Sequence, residues 1–199
     1  MMIGLPVPLS DGRRSLEQVL KARRSVRAYQ QGALTLAEVA QLLWAGQGIT
    51  SNNGMHTAPS AGALYPLELY VEASEVTGLA AGVYRYLPQG HQLVPVAGAA
   101  GREALTAASY GQGCVARGAA NIVVAAVYAR TARKYGERAS RYVHLEAGHA
   151  AQNIWLQAVA LGLGTVVVGA FDDARVQAAM RLAPAEDPLC IMPVGRVRA

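Results

Sequence analysis

The hydrophobic positions of the chain recur most densely between Tyr142 and Leu161. Apolar residues there fall on nearly all sides of a 3.6-residue helical spiral, interrupted by a few polar ones: His144, Glu146, His149, Gln152, Asn153 and Gln157. A helix with so little polar face is expected to be enclosed. About 20 residues span roughly 30 Å, which one small domain hardly covers. We therefore expect a second subunit to supply part of the cover.

A sharp turn and a core strand are predicted directly after this helix. Gly162 and Gly164 are typical of a helix C-terminus. The β-branched run from Thr165 to Val168 then indicates a buried strand. Because polar residues break the apolar run well short of about 18 residues, the helix is not predicted to cross a membrane.

The remaining pattern predicts an α+β fold. Capping boxes at Ser15–Gln18 and Thr35–Glu38 start two helices. Further helices are predicted at 102–108 and at 173–180, the second capped by Asp172, and strands at 67–73, 82–86, 92–96, 122–128 and 189–194. Pro193 places the last strand at a sheet edge, since proline cannot donate to a ladder. Helices and strands alternate irregularly, which favours α+β.

Composition limits the classes of protein. A chain of 199 residues is expected to form one domain, 1–199, with an extended arm at 1–12. With 52% hydrophobic and 16% charged residues, it is rich enough in apolar residues to favour an oligomer. The net charge of +5 is modest and dispersed, so we expect no nucleic acid partner and consider an anionic small ligand instead.

The cysteines and the N-terminus favour a cytoplasmic protein. Cys114 and Cys190 lie in unlike contexts and match neither a disulfide framework nor a zinc motif. The N-terminal segment places its positive charges after a short apolar piece, the reverse of a signal peptide.

Two segments are candidates for ligand binding. Lys21 to Arg27 gathers three arginines, a lysine and a serine, and arginine presents a planar fork suited to phosphate. The alternative is a solvated helix end, where cations are also favoured. The second segment, 47–63, is rich in Gly, Ser, Asn and Thr, and its small residues Ser60 to Gly62 would let a flat ligand approach the backbone. A plain surface connection is the alternative there.

Four familiar motifs are not matched by the sequence. His144 and His149 are five residues apart, whereas the zinc motif HExxH needs four, so no metal site is predicted. The glycines at 162, 164 and 169 follow a helix and precede a strand, the reverse of a dinucleotide-binding loop. Walker and GxSxG motifs are absent from the sequence.

Six stretches, taken in order, resemble the nitroreductase superfamily: ARRSVRAY at 22–29, LLWAGQGIT at 42–50, APSAGALYPLELYV at 58–71, GVYRY at 82–86, 134–164 and VGAFDD at 168–173. More narrowly, they resemble its SagB-type branch of flavin-dependent dehydrogenases, which includes azoline oxidases of thiazole/oxazole-modified peptide pathways. The resemblance covers nearly the whole chain. It implies an intertwined homodimer with a central mixed or antiparallel sheet flanked by helices, a long central helix at the interface, and FMN bound between subunits.

The resemblance also implies roles for individual residues. Arg23, Arg24, Ser25 and Arg27 would hold the FMN phosphate and ribityl chain, and Pro59, Ser60, Ala61 and Gly62 would approach the flavin ring from the partner subunit. Val168 and Gly169 would offer backbone groups near the ring, Gln112 would read its pyrimidine edge, and Arg196, with Arg198 as rival, would reach the phosphate.

Lys134 and Tyr135 resemble the Lys-Tyr pair of the azoline oxidases. Dehydrogenation of an azoline removes a proton as well as a hydride, so a base is needed beside the acceptor. The alternative is that Lys134 pairs with Glu137 on a solvated helix start.

These observations lead to one hypothesis and two alternatives. The first is an FMN-dependent oxidoreductase of SagB type that oxidises a small-molecule or peptide substrate. The second is an NAD(P)H-dependent nitro or quinone reductase. The third, of another class, is a flavin-binding protein without turnover.

Overall fold

The computed structural model describes residues 1–197, which form seven helices, nine strands and two short 3-10 helices. The helices are α1 (Leu16–Ala22), α2 (Leu36–Gln47), α3 (Gly101–Ala108), α4 (Gly113–Arg117), α5 (Tyr128–Tyr135), α6 (Ala139–Ala160) and α7 (Asp173–Met180). The strands are β1 (Ile3–Gly4), β2 (Leu34–Thr35), β3 (Leu67–Ala73), β4 (Val76–Thr77), β5 (Gly82–Leu87), β6 (Gln92–Pro95), β7 (Ala120–Ala126), β8 (Leu163–Thr165) and β9 (Asp187–Arg196). The 3-10 helices cover Ala61–Ala63 and Gly136–Arg138.

A seven-stranded sheet forms the centre of the fold, in the order β1-β6-β5-β3-β7-β9-β8. Every neighbouring pair in it is antiparallel. The strands β2 and β4 form a separate parallel pair. The predicted α+β fold is therefore confirmed, and of the mixed or antiparallel sheet that the resemblance implied, the antiparallel form is present.

Helices cover both faces of the sheet. On one face, Leu42 of α2 and Ile154 of α6 pack among the alternate residues of β3 and β7, and all of them are buried. On the other face, Leu105 of α3 and Met180 of α7 pack in a second buried cluster. Each such aliphatic side chain contributes about 1.5–3 kcal/mol by leaving water. The sheet is thus the middle layer of three.

The predicted helix starts are confirmed by their caps. The side chains of Ser15 and Thr35 each accept the backbone N–H of the residue three positions on. The side chains of Gln18 and Glu38 in turn accept the backbone N–H of Ser15 and Thr35. Asp172 accepts the N–H of Arg175 and caps α7. Local side-chain chemistry therefore determines these three boundaries.

The long helix is confirmed as α6. A stripe of α6 is exposed in the single chain, with Leu145 54% exposed, and its cover by a second subunit stays a prediction. The other members of this stripe are Arg141, His144, Gly148, His149 and Gln152. Within residues 1–197, no helix combines the length and apolar character needed to cross a membrane.

The end of one predicted strand differs from prediction for a physical reason. The strand predicted at 122–128 is β7, which ends at Ala126, and Tyr128 already begins α5. The neighbouring strand β3 begins only at Leu67, and the N–H of Val127 is held by the carbonyl of Pro66. Strand β7 therefore has no β3 partner beyond Ala126. Helices α4 and α5 were not predicted.

The placement of Pro193 at a sheet edge was wrong, because β9 lies between β7 and β8. The carbonyl of Val194 accepts from Ala119 on the β7 side, so the nitrogen of Pro193 faces the β8 side. There β8 stops at Thr165, opposite Val194. The strand predicted at 165–168 is thereby interrupted, and Val168 pairs again with Ile191 as an isolated bridge.

Candidate functional site

The arginine-rich segment follows α1 and lies against α6. Arg23 ends α1, and its guanidinium carbon stands 4.4 Å from the ring centroid of Trp155 on α6. The indole N–H of Trp155 donates to the carbonyl of Arg24 (3.2 Å), and the N–H of Val26 donates to Thr165 (3.0 Å). The segment is thus anchored to both α6 and β8.

The polar side chains of this segment differ in how they are engaged. Arg24 turns back and donates to the carbonyls of Lys21 and Arg23, at 3.1 and 2.7 Å. The exposed side chains of Ser25 and Arg27 make no hydrogen bond to any residue within 1–197. Cation–π contact leaves the N–H groups of Arg23 able to donate. Arg23, Ser25 and Arg27 therefore offer donors to an anion, whereas Arg24 is partly engaged.

A groove runs along α6 beside this segment. A cavity of about 300 Å³, lined by Gly148, Ala151, Trp155 and Val167, adjoins one of about 420 Å³ that reaches Gly169. Both share His144 and Leu189. These volumes suit a small organic ligand. A larger cavity of about 710 Å³, against the N-terminal arm, contains none of the predicted site residues.

Arg196 is engaged in a structural ion pair. Its two terminal nitrogens contact the two carboxylate oxygens of Glu38 at 2.6 and 2.9 Å, and one also donates to Ala33 (2.8 Å). Burial would raise the pKa of Glu38, but the hydrogen bonds from Arg196 and Thr35 outweigh it and lower the pKa. The phosphate role of Arg196 stays a prediction, and Arg198 lies outside the described residues.

Three predicted flavin contacts lie near one another at the sheet edge: Val168, Gly169 and Gln112. They differ in whether their polar groups already have hydrogen-bond partners. The N–H and carbonyl of Val168 are both bonded to Ile191, at 2.8 and 2.9 Å. Gly169 is exposed, and a Cβ added to it would meet no atom within 4 Å. The Gln112 amide donates to the carbonyl of Ala170 (2.8 Å). Gly169 is thus the member whose surroundings are most open to a ligand.

The glycine of the predicted flavin loop touches the predicted catalytic pair. Gly62 has φ +65°, and a Cβ built on it would lie 2.9 Å from the Tyr135 hydroxyl and 3.0 Å from Lys134 Nζ. Tyr135 stacks edge-on against Tyr142 of α6, with centroids 4.8 Å apart. Lys134 is exposed, with Nζ 5.5 Å from the Tyr135 ring centroid. The structure therefore brings together two groups that are some 70 residues apart in sequence.

The other loop residues surround this contact. Pro59 is exposed, and the Ser60 hydroxyl accepts the N–H of Tyr65 at 2.9 Å. Ala61 opens the 3-10 helix that carries Gly62. The loop is therefore fixed by local structure around Gly62, and its contact with a flavin stays a prediction.

Beneath the loop lies a buried carboxyl group, Glu146 of α6, which is only 2% exposed. Burial raises its pKa to about 7, although the nearby Ser60 and Gln47 side chains act in the opposite direction. Within residues 1–197, Glu146 Oε1 and Gln47 Nε2 have no hydrogen-bond partner. The amide oxygen of Gln47 in turn contacts His56 Nδ1 at 2.7 Å, and the His56 ring stacks on Tyr65 at 3.8 Å. Burial also lowers the pKa of His56. The loop is thus tied to α6 by a polar network.

These features lie on opposite sides of α6. Tyr142, Glu146 and Asn153 face the loop, which we term the loop side. His144, Gly148 and Trp155 line the groove, which we term the groove side. Helix geometry places the two sets about 180° apart. One chain therefore holds its arginine cluster and its Lys-Tyr pair on different sides of the same helix.

Residues 20–196 match the Nitroreductase family. The chain belongs to the nitroreductase family. It is therefore an enzyme of an FMN-dependent oxidoreductase family.

Individual relatives agree with this assignment. A protein of Methanocaldococcus jannaschii, provisionally named a nitroreductase, is 46% identical over 181 residues, covering 91% of this chain and 90% of the relative. A structure from Anabaena variabilis, also provisionally named a nitroreductase, is 31% identical with a TM-score of 0.81. It covers 92% of this chain, which spans only 38% of the Anabaena protein.

A third similarity is to the Escherichia coli microcin synthetase McbBCD complex with truncated pro-MccB17 bound. The TM-score is 0.76 at 24% identity, over 98% of this chain and 77% of the other. At this identity the likeness concerns the fold alone.

The residues present fit the family cofactor. The donors of Arg23, Ser25 and Arg27 suit a phosphate. The 300 Å³ part of the neighbouring groove is lined largely by apolar and small residues, whereas the part that reaches Gly169 is also lined by Asp173 and Asp187. A Cβ added at Gly148 or Gly169 would meet nothing within 4 Å. A flat aromatic ring with an anionic tail matches this combination of surfaces.

Several functional candidates were missed from sequence. Trp155 and Glu146 lie within the predicted long helix, but the sequence pattern gave them no functional role, and it gave none to Arg130. Glu146 could have been found from sequence, because an acidic residue among the apolar positions of a buried helix indicates a buried carboxyl group. The sequence pattern suggested only a metal-ligand role for His144. In the structure its ring nitrogen Nε2 shares a 2.7 Å hydrogen bond with the Tyr128 hydroxyl.

Proposed function

We propose that this nitroreductase-family enzyme is an FMN-dependent dehydrogenase of SagB type, with each active site built from two copies of the chain. The contact of Gly62 with Lys134 and Tyr135 carries the proposal, because it joins the predicted flavin loop to the predicted base. A homodimer would place the loop side of one subunit against the groove side of its partner. The exposed stripe of α6, with Leu145 at its centre, supports such an interface.

In this arrangement Arg23, Ser25 and Arg27 would hold the FMN phosphate, and Gly169 would lie beside the ring. The loop Pro59–Gly62 would close the site from the other subunit. Arg24 and Arg196 would support the fold more than the cofactor, since their guanidinium groups already have partners.

The chemistry follows from the placement of the Lys-Tyr pair. Bound FMN supplies a two-electron acceptor that takes a hydride equivalent from the substrate. Oxidation of an azoline to an azole breaks two C–H bonds, one giving the hydride and one a proton. Lys134 would take that proton at Nζ, and the Tyr135 hydroxyl would orient the substrate or relay the proton. Gly62 leaves room for both groups at the loop surface.

A second function has its own support. The relatives from M. jannaschii and A. variabilis carry the nitroreductase name, which favours an NAD(P)H-dependent nitro or quinone reductase. The same cofactor would then receive its hydride from a nicotinamide. We also propose a cytoplasmic location, supported by the two free, buried cysteines, Cys114 and Cys190.

One assay separates the two. The purified protein is expected to be yellow, to release FMN on denaturation, and to oxidise a synthetic thiazoline amide with reduction of the bound flavin. Rapid NADPH oxidation with a nitroaromatic acceptor, together with no thiazoline oxidation, would favour the reductase. A colourless protein that cannot be reconstituted with FMN would refute both.

A further inference from the structure

Arg130 lies on α5, one helical turn before Lys134, and links that helix to the flavin loop. One terminal nitrogen donates to the carbonyl of Tyr65 at 2.9 Å. The other forms an ion pair and a hydrogen bond with Glu68 of β3. The guanidinium therefore bridges α5, the loop and the central sheet.

The loop held by Arg130 has an unfavourable backbone. Gly62, Ala63 and Tyr65 all have positive φ, at +65°, +54° and +44°. For the two non-glycine residues this conformation costs roughly 1 kcal/mol or more each, so surrounding contacts must maintain it. The Tyr65 N–H is held by Ser60 and its carbonyl by Arg130. Both backbone groups of Tyr65 are therefore fixed.

The anchor at the other end of Arg130 is itself rigid. The Glu68 side chain is 9% exposed, and its second oxygen accepts from Arg85 of β5 at 2.9 Å. Arg85 also lies 3.7 Å from Glu186, which accepts the Tyr70 hydroxyl at 2.7 Å. Arg130 thus attaches α5 to an ion-pair network across the sheet.

We propose that Arg130 is a positioning residue that holds the Lys134–Tyr135 pair against Gly62. The inference rests on the proposed function for its catalytic consequence and on the contacts above for its geometry. A backbone bond from Val127 to Pro66 fixes the start of α5, and Tyr135 at its end packs against Tyr142 of α6. Arg130 lies between these two contacts and joins α5 directly to the backbone that follows Gly62, so it sets the distance between the helix and that loop.

Lysine cannot replace this guanidinium, because two acceptors in different directions need the planar fork. Arg133 provides a matched control on the same helix. It carries the same charge, is exposed, and makes no side-chain hydrogen bond or ion pair with the rest of residues 1–197.

The first measurement is hydrogen exchange of the backbone over residues 60–66, followed by mass spectrometry in the whole protein. Arg130→Ala and Arg130→Lys should both exchange about tenfold faster there, as expected when a hydrogen bond to a charged group is lost. Arg133→Ala should match the wild type. Equal exchange in Arg130→Ala and wild type would overturn the proposal whatever the enzyme's activity.

The second measurement is a double-mutant cycle with Lys134→Ala, using the synthetic thiazoline amide as probe. Arg130→Ala should lower turnover about tenfold or more with flavin content unchanged, and should have no further effect in the Lys134→Ala background. An equal fold-loss in both backgrounds, or the same loss in Arg133→Ala, would overturn the positioning role. If the wild type does not oxidise the probe, the proposed function fails. The exchange measurement alone then decides whether Arg130 holds the loop at residues 60–66.

Discussion

The two sides of α6 are built on opposite principles. On the loop side, the buried Glu146 and Gln47 lie beside the half-buried His56 and Tyr65. The positive-φ backbone there is held by Ser60 and Arg130. On the groove side, the largely apolar 300 Å³ cavity lies next to Arg23, which stands over its lining residue Trp155. The charges of Arg23 and Arg27 have no acidic partner within residues 1–197. The loop side is therefore preformed, whereas the groove side offers donors and surface to a ligand.

This difference indicates that the two sides of α6 serve different functions. A rigid loop side suits the group that must be placed accurately for proton transfer, because small displacements of a catalytic group are costly. A groove side with available donors suits tight binding of a charged cofactor. Each of the following changes tests one side of this comparison, from the largest expected effect to the smallest.

The largest effect is expected at the phosphate donors. Arg23→Ala combined with Arg27→Ala should weaken FMN binding about 100-fold, because two charge-assisted hydrogen bonds to phosphate are lost. Riboflavin, which lacks the phosphate, should bind the variant and the wild type equally. Titration calorimetry with both ligands measures the difference.

Arg24→Ala serves as the matched control, since that guanidinium is bonded to the carbonyls of its own helix end. It should weaken FMN binding by less than the double variant. An equal loss for FMN and riboflavin in the double variant would show that folding, and not phosphate recognition, had been damaged.

The next effect is on stability and concerns Glu146. Because burial raises its pKa to about 7, the folded protein holds a neutral acid where the unfolded carboxyl is ionised. This contribution to stability is present at pH 4.5 and is lost as the pH rises towards 7. Glu146→Gln cannot ionise, so its stability relative to wild type should rise by on the order of 2–3 kcal/mol between pH 5 and pH 8.

His56 acts with the opposite sign. Its lowered pKa makes stability rise as the pH rises towards 6.5, and the wild type and Glu146→Gln share this contribution. Denaturant unfolding of both proteins at several pH values therefore isolates Glu146 as a difference. A difference that is constant across this range would contradict burial of an ionisable group on the loop side.

The smallest effect on stability is expected at Gly62. Both Gly62→Ala and Gly54→Ala should lose about 1 kcal/mol, because both glycines have positive φ in the same loop. Only the Gly62 variant places a methyl group against Tyr135 and Lys134, since the position at Gly54 is open. We therefore expect slower thiazoline oxidation in Gly62→Ala alone, and equal rates in the two variants would separate the loop from the catalytic pair.

Much of the fold could be predicted because its signals are local. The caps of Ser15, Thr35 and Asp172 depend on neighbouring residues, and the β-branched run of β7 needs only a partner strand. Pro193 misled because its missing N–H faces a gap between β8 and the Val168 bridge, and that gap is a tertiary feature. No local pattern distinguishes such an interior proline from an edge one.

The candidate site was predictable in its members but not in its arrangement. The resemblance placed Arg24 with Arg23 and Arg27, yet only the fold shows that Arg24 turns to its own backbone. It likewise grouped Gly62 and Lys134 in one site without indicating that they touch. Contacts between residues so distant in sequence depend on how α5 docks on the loop, which no spacing encodes.

The central claim is that the loop side of one subunit completes the groove side of another. Mixed dimers test it: one subunit carries Lys134→Ala, the other carries Arg23→Ala and Arg27→Ala, and two different affinity tags isolate the heterodimer. The heterodimer is expected to bind FMN in one site and to oxidise the thiazoline probe at about half the wild-type rate, since one of its two symmetry-related sites receives intact groups from both chains. A heterodimer as inactive as its two parent homodimers would contradict the claim.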